Sequence, residues 1–132
     1  MSDHTILPER NLLAINIPAS DFRIIRSPKL FYRLVFRVDV LNTSKLNLRL
    51  MARKLMMQDA KGRIFIQEAA QVFRTYPLIP PGGVFSFGCM HDFGQRPTQL
   101  EFRIAGMDQM LTPFISTPFI FTEKQLTPLE VD

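Results

Sequence analysis

The fold of this chain is decided by residues 53–87, which read RKLMMQDAKGRIFIQEAAQVFRTYPLIPPGGVFSF. Within them, Asp59-Ala-Lys-Gly62 has the composition of a type I turn, with Asp at the first position and Gly at the fourth. Residues 77–83 contain three prolines and two glycines, which forbid regular strand pairing and predict a corner of the chain. The spacing of these turns between short apolar stretches is typical of an immunoglobulin-like β-sandwich.

The clearest single strand is predicted over residues 31–41. Apolar residues share one parity (Tyr32, Leu34, Phe36, Val38, Val40), and charged residues share the other (Arg33, Arg37, Asp39). Such period-two alternation predicts a half-buried strand, and Asn42-Thr-Ser-Lys45 after it predicts a turn. A helix over residues 46–57 would suit their Leu, Met, Arg and Lys content. We favour a strand there, because the turn at 59–62 and the β-rich Arg63–Glu68 complete a hairpin.

The other apolar stretches predict further short strands. Residues 13–25 form one or two strands split at Pro18, residues 100–104 alternate before a turn at 106–109, and residues 114–121 form a last strand interrupted by Pro118. We therefore predict an all-β fold, an immunoglobulin/fibronectin type III-like antiparallel β-sandwich of seven to eight strands. A single domain is expected over residues 1–126, followed by a C-terminal tail over 127–132.

Cysteine content and hydropathy bear on location. Cys89 is the single cysteine, so an intrachain disulfide is impossible and a disulfide-framed secreted domain is excluded. Residues 1–10 lack the apolar stretch of a signal peptide, and no later segment has the ~20 apolar residues of a membrane helix. We expect a cytoplasmic protein without a membrane partner.

Three segments resemble the central pattern of the ApaG domain family, a fibronectin type III-like sandwich. The family pattern runs Arg-x-Trp, Asp-x-x-Gly-Arg and Pro-x-Leu-x-Pro-Gly-x-x-Phe-x-Tyr. It is matched without a gap by Arg53-Lys-Leu55, Asp59-Ala-Lys-Gly62-Arg63 and Pro77-Leu-Ile79-Pro-Pro81-Gly82-Gly-Val-Phe85-Ser-Phe87. The chain departs from it at Leu55, where the family has tryptophan, and at Ala69, Gln71 and Arg74, where the family has the glycines of Gly-x-Gly-Val-Val-Gly. The resemblance implies a divergent member without the glycine motif, so no phosphate-binding role is transferred from that motif.

The resemblance also implies recognition rather than catalysis. The family includes stand-alone bacterial proteins and domains fused to F-box and polymerase-associated proteins, where the domain is taken to bind other proteins. We predict a non-catalytic binding module that recognises a protein partner or forms a dimer. The candidate interface residues are Arg53, Met56, Met57, Phe73 and Tyr76, because methionine provides adaptable apolar surface and apolar residues occupy both parities of residues 51–57.

An uneven charge distribution supports an alternative function. Residues 1–66 contain 12 Lys and Arg and 5 acidic residues, whereas residues 67–132 contain 4 and 7. In this alternative, Arg33, Arg37, Arg49 and Arg53 contact an anion or a nucleic acid. Solvated strand faces explain the same arginines, and strands of this order usually lie in opposite sheets, so this alternative ranks below protein binding.

Residues suited to catalysis or metal binding are few. In Cys89-Met-His91 the thiol and the imidazole lie about 7 Å apart along a strand, too far for direct contact without a bend. Together with the methionines this pair suggests a soft-metal site such as one for Cu(I), but no Cys-x-x-Cys or His-x-x-x-His spacing is present. We predict no catalytic centre, no metal and no cofactor.

Overall fold

A computed structural model of the protein describes residues 7–68 and 76–129, with the backbone alone for residues 51–58 and 64–68. These residues form two antiparallel sheets. The three-stranded sheet contains β1 (Leu13–Ile25), β2 (Phe31–Asn42) and β6 (Val84–Phe93), with β2 in the centre. The six-stranded sheet contains, in order, β4 (Ile64–Glu68), β3 (Leu48–Asp59), β7 (Leu100–Asp108) and β8 (Pro113–Ile115), with β5 (Leu78–Ile79) beside β3 and β9 (Phe119–Ile120) beside β7.

This strand order confirms the predicted fibronectin type III-like sandwich. Among the strands of three or more residues, the first, second and fifth form one sheet, and the third, fourth, sixth and seventh form the other. Residues 48–57, for which a helix was the alternative, lie in β3. The described part of the chain contains no helix that is long and apolar enough to cross a bilayer.

The core lies between β2 of one sheet and β7 of the other. Of the apolar residues of the predicted parity in β2, Leu34, Phe36, Val38 and Val40 are buried and Tyr32 is half-buried against them. Leu100, Phe102 and Ile104 of β7 are buried as well. Phe36 stands at the centre, with its ring edge-on to Phe102 (5.3 Å between centroids) and to Phe121 (5.4 Å). Edge-to-face aromatic pairs add about 1 kcal/mol each to the free energy gained from burial. The core therefore joins the two sheets through residues whose parity was readable from the sequence.

The opening segment is one strand rather than two. β1 pairs with β2 along its length, but its register shifts between Asn16 and Ala19, on either side of Pro18. A β-bulge accommodates proline because the residue that lacks an N–H does not have to join the ladder.

The corner at residues 77–83 contains more pairing than expected. Leu78 and Ile79 form β5 against β3, and Pro77 O accepts a hydrogen bond from Leu50 N–H (2.9 Å). The prediction of no regular pairing was wrong here, because the residues between Pro77 and Pro80 keep their own N–H groups. The turn follows at residues 80–83, where Gly83 N–H donates to Pro80 O (2.8 Å) and Gly82 has φ +75°. This is the glycine position of a type II turn.

The turn predicted at Gly106–Gln109 begins later, because β7 continues to Asp108. Gly106 is a strand residue, and a Cβ atom there would lie 2.7 Å from Cζ of Phe114. The glycine therefore makes room for a buried ring instead of marking a turn. As predicted, the final strand is interrupted near Pro118, which separates β8 from β9. Within the stretch predicted as a tail, Leu129 N–H donates to Phe22 O of β1 (2.8 Å).

Asn42, at the end of β2, joins the turn after it to the Pro-rich corner. Its buried side-chain amide donates to Leu46 O (2.7 Å) and to Ile79 O (2.9 Å), and its Oδ1 accepts from Ser44 N–H (2.9 Å). The amide thus satisfies backbone groups of two segments that are distant in sequence.

Replacing Asn42 by alanine removes these donors and leaves the buried Ile79 carbonyl without its Asn42 donor. We expect a loss of about 2 kcal/mol in the free energy of unfolding. Asn16→Ala, at an exposed position of β1, is the matched control and is expected to change it by less than about 0.5 kcal/mol. Urea unfolding followed by circular dichroism measures both, and equal losses would contradict the role of Asn42.

Candidate functional site

Asp59 is a buried carboxylate that closes the β3–β4 hairpin. Its Oδ1 accepts hydrogen bonds from the N–H groups of Lys61 (3.0 Å) and Arg63 (2.9 Å), and its Oδ2 accepts one from Arg63 Nε (2.7 Å). Burial opposes the charge, but the hydrogen bonds and the Arg63 guanidinium outweigh burial, so the pKa of Asp59 lies below its ordinary value. The Asp59 carboxylate therefore has a structural role in this turn.

Asp108 plays the same part at the β7–β8 turn. Its carboxylate accepts hydrogen bonds from Arg10 Nη1 (2.9 Å), Met110 N–H (2.8 Å) and Thr112 N–H (3.0 Å). The Arg10 guanidinium is the main reason that the pKa of Asp108 is lowered. Arg10 thereby anchors the N-terminal segment on the six-stranded sheet.

Cys89 is buried in β6 and does not have the properties of a nucleophile. Burial raises its pKa to about 12, so the thiol stays protonated at neutral pH. His91 packs its ring edge-on against Phe93 (4.6 Å between centroids), and desolvation lowers the pKa of this imidazole although Asp92 acts in the opposite direction. Among the described residues, no group of three or more His, Cys, Asp or Glu side chains is arranged to hold a metal ion.

Three of the four arginines of the anion-binding alternative, Arg33, Arg37 and Arg49, do not converge. Arg33 and Arg37 lie on the outer face of the three-stranded sheet, where Arg33 makes a two-point ion pair with Asp92 (2.8 and 3.1 Å) and Arg37 lies 3.4 Å from Asp39. Arg49 belongs to β3 of the opposite sheet. The side chain of Arg53, also in β3, lies outside the described residues. No common site is formed by Arg33, Arg37 and Arg49.

An exposed, largely apolar surface crosses the outer face of the six-stranded sheet. Four strands place one residue each in a single row, which is Leu78, Arg49, Met107 and Pro113 in order. Arg49 faces outward because Leu48 and Leu50 on either side are buried, and its Nη1 donates to Tyr76 O (2.9 Å). Tyr76 and Leu78 are 45% and 56% exposed. We call Tyr76 and these four residues the Tyr76 face.

The outer face of the three-stranded sheet is different. It also exposes apolar side chains, Val35 beside Met90 and Leu41 beside Val84. Polar groups separate these pairs, since Ser86 Oγ donates to Asp39 Oδ1 (2.6 Å) and Arg37 lies against the same carboxylate. The Tyr76 face has a single charged member, Arg49, and is the better apolar surface.

Of the five predicted interface residues, Tyr76 is the one whose side chain is described, and it is exposed. Phe73 lies outside the described residues. Met56 is described as backbone only, paired in register with Arg103, and Met57 with Phe102. Sequence reasoning missed Leu78 and Met107, because the pairing of β5 and β7 with β3 brings them beside Arg49. The sequence signal that could have identified Leu78 is that it lies two positions after Tyr76 and therefore shares its parity.

Comparison with known proteins identifies the architecture. No protein-family model and no curated protein matches the chain. The structure of Northeast Structural Genomics Consortium target SoR45 is 17% identical, with a TM-score of 0.66 over 92% of this chain and 95% of that one. The structure of the putative ApaA protein from Bordetella pertussis is 16% identical, with a TM-score of 0.56 over 88% of this chain and 94% of that one.

The chain has an ApaG-like fold. The resemblance drawn from residues 53–87 is thereby confirmed at the level of the fold. In this ApaG-like sandwich, Asp59–Gly62 closes a hairpin and Pro80–Gly83 makes the turn into β6, as the motif implied. Residues 69–74, which stand where the family has its glycine motif, lie outside the described residues.

The lowered pKa values of Asp59 and Asp108 predict acid sensitivity. Because the folded carboxylates have pKa values below the unfolded value of about 4, their stabilisation is present above that pH and is lost as pH falls through the folded pKa. We expect the unfolding temperature to be nearly constant from about pH 7 to 5 and to decrease when the pH is below about 4.

Asp108→Asn is expected to unfold at a lower temperature at neutral pH, and its unfolding temperature should decrease less steeply in acid than that of the wild type. Glu123→Gln, at an exposed turn, is the control, and identical pH profiles for all three proteins would refute this account.

Burial of Cys89 predicts slow thiol chemistry. We expect a disulfide reagent to react with the folded protein at least about a hundred-fold more slowly than with the urea-unfolded protein. The release of the coloured thiolate measures both rates. Similar rates in the two states would show that the thiol is accessible.

Proposed function

We propose that this chain is a non-catalytic binding module of the ApaG type, which recognises a protein partner or a second copy of itself through the Tyr76 face. The observation that carries the proposal is the row of outward residues across four strands, with Tyr76 and Leu78 exposed at one edge. A flat sheet face suits a protein surface better than a small molecule, which is usually held in a concave pocket.

The chemistry of the Tyr76 face is that of an interface centre. Tyrosine, methionine and arginine are enriched at protein interfaces, and tyrosine and arginine carry a disproportionate share of binding energy. Arg49 is held by Tyr76 O, so its guanidinium and the Tyr76 backbone are already positioned before a partner arrives. Such preorganisation reduces the entropy lost on binding.

The half-buried residues next to the row extend the apolar area. Ala105 of β7 and Ile115 of β8 are paired in register, one outward position beyond Met107 and Pro113. Beyond them the face becomes charged, since Arg103 pairs with Glu9 and lies 3.7 Å from Glu101. An apolar centre bounded by charges on one side is the usual composition of a recognition surface.

A cytoplasmic location is part of the same proposal. Its support is that Cys89 is buried and is the single cysteine of the sequence, so no intrachain disulfide can form, which is compatible with a reducing compartment. Nucleic acid is less favoured as the partner of the Tyr76 face, because Arg49 is the single cation among its five residues.

Leu78→Glu tests the proposal by placing a charge in the most exposed apolar part of the face, and Leu30→Glu is the control because Leu30 is also 56% exposed but lies in the β1–β2 connection. If the protein self-associates, we expect Leu78→Glu to weaken the dimer at least ten-fold, as burial of an unpaired charge costs well over 1.4 kcal/mol. Leu30→Glu should leave it unchanged. Sedimentation equilibrium over a concentration series at moderate salt measures this.

If the wild-type protein is monomeric at every concentration, the same variants are used as immobilised bait with host extract. A partner retained by the wild type and by Leu30→Glu but lost with Leu78→Glu supports the proposal. Equal behaviour of the two variants in both assays would rule out the Tyr76 face.

A further inference from the structure

One end of the sandwich gathers four chain segments. They are the β1–β2 connection (26–30), the β3–β4 hairpin (60–63), the β6–β7 loop (94–99) and the C-terminal segment (122–129). We call this region the basic end. It is separate from the Tyr76 face, whose row lies near the start of β3 and therefore toward the opposite end.

Hydrogen bonds connect these segments into one surface. Arg63 Nη1 donates to Gln95 Oε1 (3.3 Å), which ties the β3–β4 hairpin to the β6–β7 loop. Arg96 Nε donates to Leu126 O (3.2 Å), and Leu129 N–H donates to Phe22 O (2.8 Å), which continues the connection to β1. The basic end therefore spans both sheets, which pack about 10 Å apart in sandwiches.

Cations outnumber carboxylates at the basic end. The described cations are Arg23, Arg26, Lys29, Arg33, Lys61, Arg63, Arg96 and Lys124, and the carboxylates beside them are Asp21, Asp59, Asp92, Glu101 and Glu123. Three of these carboxylates are already paired, with Arg23, Arg63 and Arg33. Arg26, Lys29 and Lys61 are exposed and have no acidic partner within the described part of the chain. In contrast, Lys45 is the single charged residue in the described loops 43–47, 76–83 and 109–112 at the opposite end.

The aromatic ring of Phe31 lies next to these cations. The Arg33 guanidinium carbon lies over the Phe31 ring, 5.3 Å from its centroid, and Phe31 is half-buried at the start of β2, directly after the 26–30 connection. The two-point ion pair with Asp92 fixes the guanidinium plane. An aromatic ring and an arginine guanidinium, next to dispersed cations, are groups on which unpaired bases stack.

We propose that the basic end binds single-stranded nucleic acid, with Arg26, Lys29 and Lys61 contacting phosphates and Phe31 with Arg33 stacking a base. The cations are distributed across both sheets, which suits a ligand with several phosphates in series rather than one isolated anion. An acidic peptide would satisfy the cations but has no planar bases to stack on Phe31 and Arg33. This site is independent of the protein-binding function proposed above.

The test is a fluorescence anisotropy titration of the full chain with labelled oligothymidylate over a salt series. We expect Arg26→Gln/Lys29→Gln to weaken binding at every salt concentration and to reduce the slope of log K against log salt by about 1.4, or 0.7 for each lost phosphate contact. Arg37→Gln/Lys45→Gln removes one arginine and one lysine elsewhere on the surface and should leave the slope unchanged.

Phe31→Leu distinguishes bases from bare negative charge. We expect it to weaken oligothymidylate binding about five-fold or more and to leave heparin binding unchanged. Each variant must unfold at the wild-type temperature. The proposal is overturned if oligothymidylate does not bind at low salt, if the control pair reduces the slope equally, or if polyglutamate of equal charge binds as tightly.

Discussion

The structure depends on the burial of one parity of side chains on β2 and β7, the strands that face each other across the core. Leu34, Phe36 and Val38 from one sheet meet Phe102 and Ile104 from the other, all of them buried. A shift of either strand by one residue would expose this entire set, so the register of both sheets is strongly determined. The outward-facing residues of these strands do not have to meet this constraint, so their charge and polarity can vary.

Two surfaces with different chemistry result from that freedom. The Tyr76 face is composed mainly of apolar side chains on strands, whereas the basic end is composed of cations on connections. Because strands carry the first and loops carry the second, a substitution in one leaves the other unaffected unless it unfolds the domain. The ApaG-like sandwich supports both surfaces without determining what either binds, since a fold of this class does not specify a ligand.

The sequence allowed the fold class and most strands to be predicted, because period-two alternation and turn chemistry are local signals. Phe31–Leu41 was readable in this way, and so were Asp59–Gly62 and the interruption near Pro118. The role of Gly106 was misinterpreted because glycine is needed there to make room for the ring of Phe114. Phe114 lies eight residues away in sequence, and the pairing of β7 with β8 places it beside Gly106. The Leu78–Ile79 pairing was missed for a similar reason, since its partner strand is far away in sequence.

The candidate site was less predictable than the fold. Tyr76 was among the predicted interface residues, but the row of Leu78, Arg49 and Met107 exists because three strands share one register. Likewise, the basic half of the sequence indicated cations without showing that Arg33 is paired with Asp92 across two strands. Charge excess is visible in a sequence, whereas the pairing that neutralises part of it depends on the tertiary structure.

The bulge around Pro18 has a consequence for how copies of this protein meet. A long outer strand with a straight ladder offers its unpaired N–H and C=O groups to any neighbouring chain, which is a route to fibrils. In β1 that template is broken part-way along by a residue without an N–H and by a kink in the backbone. A continuous intermolecular sheet along the whole of β1 is therefore disfavoured, because its ladder would be interrupted at Pro18.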